Sequence, residues 1–133
     1  MSALPARRFW LAALLALAAT AATAAPSAGP YTNRRFQALQ DENALILVAV
    51  TRPGCPACRA QRAILDNFQK QHPEADLKIL WVDYDHQKRV LKYLNASLAG
   101  TLILFRGAER LWSTVSKMDE DAIIEPILRA AAR

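Results

Sequence analysis

The alternation of apolar and polar positions sets out the elements of this chain in order. Residues 44–51 are apolar almost without interruption and rich in branched side chains, which predicts a buried strand. Before it, Thr32 or Asn33 can cap a helix reaching about Gln40, with Phe36 and Leu39 on one face. After it, Arg52, Pro53 and Gly54 make a turn. Helical spacing then covers 56–71, burying Ile64, Leu65 and Phe68, and breaks at His72 and Pro73. Residues 77–82 predict a second strand that ends at Asp83, Tyr84 and Asp85. Helical spacing returns at Val90, Leu91 and Leu94. Residues 101–105 predict a third strand, and Arg106, Gly107 and Ala108 turn it into a fourth over 110–114, as a hairpin. A last helix over 119–132 carries Ile123, Ile124, Ile127 and Leu128, and Pro126 within it predicts a kink or a split. Two parallel strands joined by helix 56–71, followed by a hairpin, make a mixed sheet with helices on both faces.

The N-terminus departs from this pattern. Arg7 and Arg8 precede an apolar stretch from Phe9 to Leu17, and Ala22, Thr23 and Ala24 supply the small residues of a cleavage site. The expectation is a signal peptide over 1–24, a Pro/Gly/Ser linker over 25–31 and one domain over 32–133. The apolar stretch falls short of the roughly 20 residues that a spanning helix needs, so no stable membrane insertion is expected after cleavage. The pair Arg7-Arg8 is only a loose match to twin-arginine export, and the lack of a nearby cysteine disfavours a lipoprotein. Net charge is +5, two units of it from Arg7 and Arg8. That is too modest for a nucleic-acid footprint. The expected location is periplasmic or secreted.

The candidate chemistry rests on Cys55-Pro56-Ala57-Cys58, which holds the only two cysteines. The pair falls where the strand 44–51 hands over to a helix, a redox arrangement. A disulfide across two residues restrains the unfolded chain far less than a long-range bridge, so reactivity is a better reason for it than stability. At the helix start, the sulfur of Cys55 faces unpaired backbone N–H groups and the positive end of the helix dipole, which favour thiolate. Pro56 suits the first turn, where its missing N–H costs nothing. Cys58 lies over the same turn and deeper, as the resolving thiol. Arg52 and Arg59 read as solvated charges.

Taken with the element order, these residues resemble the thioredoxin superfamily. The shared features are the strand–Cys-x-x-Cys–helix unit, the strand end at Asp83, Tyr84 and Asp85, and strand 101–105 with Gly107 and Glu109 after it. The resemblance covers about 44–132. It implies an α/β three-layer sandwich, with a mixed central sheet of about four strands and helices on both faces. It also implies an exported thiol–disulfide oxidoreductase in which Cys55 attacks, Cys58 resolves, and Pro56, Ala57, Ala99, Gly100 and Thr101 border the substrate. Its partners would be client proteins with disulfides and an upstream redox protein. No cofactor is needed, and the expected state is a monomer. Three positions depart from the family: its buried acid is Ala49 here, its tryptophan before the first cysteine is Gly54, and its cis-proline is Gly100. A non-proline cis bond costs about 3–4 kcal/mol, so the Ala99–Gly100 bond is expected to be trans. The Pro56-Ala57 pair lacks both the histidine of strong oxidants and the Gly-Pro of cytosolic thioredoxin, which leans towards reducing or isomerising work.

Two other readings stay open. The same thiols could bind copper or zinc, although a closed zinc site wants four ligands and only His72 and His86 could be added. The fold could also be an interaction module with a structural disulfide. Trp81 and Trp112 read as core, Asp83 and Asp85 as turn acids, and Lys88, Arg89 and Lys92 as an exposed helix face. No phosphate loop, serine constellation or dinucleotide fingerprint is present.

Overall fold

The run at 44–51 becomes the central strand of the sheet. The computed structural model describes residues 26–133 together with Ala3; otherwise the expected signal peptide lies outside the described residues. In chain order the elements are β1 (Ala28–Pro30), α1 (Asn33–Asp41), β2 (Leu45–Thr51), α2 (Pro56–Gln71), β3 (Leu77–Asp83), α3 (Lys88–Tyr93), β4 (Thr101–Arg106), β5 (Glu109–Val115) and α4 (Glu120–Ala131). The sheet runs β1-β3-β2-β4-β5. β1, β3 and β2 are parallel, while β4 and β5 run antiparallel as the expected hairpin.

The period-two pattern of β2 sorts its side chains between two cores. Ile46, Val48 and Val50 face Phe36 and Leu39 of α1 and Leu91 of α3. Leu45, Leu47 and Ala49 face Leu65 and Phe68 of α2 and Ile123 and Ile127 of α4. Helices therefore cover both faces, as expected, and each fully buried Leu, Ile or Phe contributes about 1.5–3 kcal/mol. Thr32 caps α1 by accepting the Arg35 N–H at 3.1 Å, and Asp119 caps α4 by accepting that of Ala122 at 2.8 Å.

Two expectations are corrected and a third, the kink or split at Pro126, is narrowed because the split is excluded. The sheet has five strands rather than about four, because β1 lies inside the stretch read as linker. A three-residue strand of Ala, Gly and Pro carries no periodicity. Neighbouring backbone bonds define it, with Ile79 N–H donating to Ser27 at 2.8 Å and Tyr31 N–H to Trp81 at 2.9 Å. Pro30 is tolerated because β1 is an edge strand. α4 runs through Pro126 without splitting. Finally, Ile64 is only partly buried, and the buried stripe of α2 takes Gln61 instead. Among the described residues, no helix is long and apolar enough to cross a membrane.

Candidate active site

β2 ends at Thr51, and the chain turns through Gly54, whose φ of +74° suits a residue without a Cβ. This turn delivers Cys55 as the N-cap of α2, with Pro56 in the first helical turn. Cys55 and Cys58 are joined as a disulfide with Cα atoms 5.2 Å apart. The Cys58 N–H donates to the Cys55 sulfur at 3.1 Å, as an N-cap acceptor is placed to receive it. The two sulfurs differ in access. Cys55 is half-buried, whereas Cys58 is 4% exposed and its sulfur lies 3.7 Å from the Val50 carbonyl oxygen.

A second segment meets this turn from the β4 side. The Gly100 N–H donates to that same Val50 carbonyl at 2.8 Å, and the Gly100 carbonyl accepts the Ser116 N–H at 3.0 Å. A Cβ on Gly100 would stand 3.4 Å from that of Ala57, so this loop abuts the dipeptide between the cysteines. Thr101 begins β4, buried, with its hydroxyl donating to the Leu98 carbonyl at 2.6 Å. Ala99 is half-buried, and Pro56 is exposed. Around this junction Leu98, Val115 and Met118 are exposed apolar side chains, and Val115 is the register partner of Thr101. On the opposite flank, a cleft of about 460 Å³ is lined by residues including Arg52, Pro53, Arg62 and Trp81, with the Arg62 guanidinium 3.9 Å over the Trp81 ring.

The thioredoxin family model matches residues 29–129. The chain belongs to the thioredoxin family. The chain is 28% identical to the protein named Trxlp from Edwardsiella tarda, with a TM-score of 0.70 over 74% of this chain and 95% of that one. It shares its fold with a thioredoxin from Malassezia sympodialis (TM-score 0.69, 12% identity, 81% and 96% covered). A mutant thioredoxin from Halobacterium salinarum is similar in fold too (TM-score 0.67, 20% identity, 80% and 94% covered). No curated protein sequence matches significantly. The family and the bonded cysteine pair together support thiol–disulfide oxidoreduction.

No peptide bond among the described residues is cis, so Ala99–Gly100 is trans, as expected. Gly100 instead takes a φ of +82°, in the left-handed region that proline cannot enter. Ala49 is buried in the α2–α4 core beside its register partner Trp81. Trp81 is itself half-buried against that core, as is Trp112.

Neither arginine beside the cysteines bonds to a sulfur. Arg52 pairs with Asp85 at 3.2 Å and packs over Tyr84, and Arg59 is exposed. Asp83 accepts the N–H groups of Asp85 and His86 on one oxygen and the His86 ring on the other. The bond from the His86 ring is the main reason its carboxyl titrates below the usual range. His72 bonds Glu74 in the same way at 2.9 Å. Neither histidine joins the thiols, and among the described residues no three potential ligands gather around a metal position.

One residue beside the cysteines escaped the sequence reading. Gln61 is 1% exposed and bonds to the Gly100 loop. The helical period did hold a signal for it, because Cys58, Gln61, Leu65 and Phe68 fall on one stripe and a lone amide there demands partners.

Proposed function

We propose that this protein is an exported thiol–disulfide oxidoreductase that reduces client protein disulfides in the periplasm or outside the cell. The observation that carries this reading is the asymmetry of the cysteines: Cys55 is accessible and bonded to a backbone N–H, and Cys58 is buried behind it. In the reduced protein, the Cys58 N–H and the dipole of the sixteen-residue α2 favour thiolate at Cys55. That thiolate attacks one sulfur of a client disulfide, and the client's other sulfur leaves as thiolate and takes a proton. The Cys58 thiol then gives up its proton and attacks the Cys55 sulfur. The second client thiol is released. The client gains two electrons and the pair becomes the disulfide, which an upstream dithiol protein must reduce again. Pro56, Ala57 and the Ala99–Gly100–Thr101 loop border the client, and Leu98, Val115 and Met118 add apolar contact. Export is supported by the composition of residues 1–24.

Trapping tests this reading. Cys58→Ser should stall at a mixed disulfide with a client protein and yield a covalent adduct that dithiothreitol releases. The Cys55→Ser variant should form none. No adduct from Cys58→Ser, or alkylation of Cys55 no faster than that of a free thiol, would remove the proposal. The intact mass of the exported chain should begin at Ala25.

A further inference from the structure

Gln61 is the one polar residue on the buried stripe of α2, and its side chain does not bond within its own helix. Its Nε2 donates to the Gly100 carbonyl at 2.9 Å and to the Lys117 carbonyl at 3.0 Å. Those carbonyls belong to two different segments, one entering β4 and the other leaving β5. A single amide therefore holds both against the helix that carries the cysteines. Both segments also contain a left-handed residue, Gly100 at +82° and Ser116 at +56°. At Ser116, which is not a glycine, backbone of that kind persists only when its surroundings over-determine it. The bonds continue inward, because Gly100 N–H donates to the Val50 carbonyl, whose oxygen lies 3.7 Å from the Cys58 sulfur.

We propose that Gln61 is the positioning residue of the client groove, a latch that sets the Gly100 loop and the Ser116–Lys117 segment at the height of Cys55. The proposal deepens the oxidoreductase reading and rests on it. Gln61 acts on the loop rather than on sulfur. Its loss should therefore weaken recognition of a client backbone and spare the exchange chemistry itself.

The test uses reduced Gln61→Leu with two substrates, insulin as a protein disulfide and DTNB as a small one. Amide hydrogen exchange is measured in parallel. Losing one to two net hydrogen bonds predicts a KM for insulin raised about tenfold or more, with kcat and the DTNB rate within about twofold of wild type. The amides of Gly100 and Ser116 should exchange about tenfold faster, while that of Ile79 in the sheet is unchanged. An unchanged KM, unchanged exchange, or an equal loss on both substrates overturns the latch. If Gln61→Leu does not fold, Gln61→Met carries the same measurements, and failure of both to fold assigns Gln61 to the core and overturns the proposal. A wild-type protein inactive on both substrates removes the oxidoreductase reading instead, and the exchange data alone then decide the latch.

Discussion

Gly100 stands where the family resemblance places a proline, in a backbone conformation that proline cannot adopt. Its N–H is bonded to Val50 and its φ is +82°, two conditions that proline violates together. Gly100→Pro, which restores the family's residue, is therefore expected to destabilise this chain by about 3 kcal/mol or more. Urea melts of the two proteins check this, and an unchanged midpoint would mean that the loop rebuilds at little cost. Gly100→Ala should cost less, about 1–2 kcal/mol for the left-handed backbone. The substitution at position 100 and the trans bond were both legible in the sequence. The sign of φ was not, because glycine enters either half of the map with similar ease. Gln61 was missed for a different reason. A glutamine in a helix is ordinary until its neighbours on the stripe prove to be Cys58, Leu65 and Phe68 and its amide is found to have two carbonyls to satisfy.

α4 is the element in which packing excludes one of the two outcomes that a local rule allows. Pro126 removes one backbone bond, and the sequence predicts a kink or split, yet the helix runs unsplit from Glu120 to Ala131. Ile123 and Ile127, both fully buried on the sheet, hold the turns on either side of the proline, and Asp119 fixes the start. Packing of that size outweighs one missing bond. Pro126→Ala should raise stability by about 1–3 kcal/mol, the helix-interior penalty of proline reduced by its lost packing. A thermal melt reads that as several degrees upward, and a fall would show that the ring's contacts beside Trp112 matter more than the backbone. β1 erred in the opposite direction. Three small residues hold no pattern to read, and only the neighbouring edge of β3 makes them a strand.

On the scale of the whole molecule, Tyr31 joins β1 and α1 to the sheet and is 2% exposed. Burial first, and Tyr93 nearby second, push its phenol from 10.0 up to about 12. The neutral phenol is thus favoured by the fold. Its contribution is fully present below the unfolded value of 10.0, and it is lost as pH rises through about 12. A tyrosinate absorbance titration should show one group ionising near that upper value, absent from Tyr31→Phe, with stability falling across the same alkaline window. A full set of tyrosines ionising near 10.0 would contradict it. The sequence by itself determined the long strands, the helices with one apolar stripe, the layer arrangement and the pair Cys55–Cys58, because each is written in local periodicity or in motif spacing. Tertiary structure alone decided the fifth strand, the continuity of α4, the partners of Gln61 and the left-handed turn at Gly100. Those depend on which distant backbone groups and side chains meet, and no local pattern carries that information.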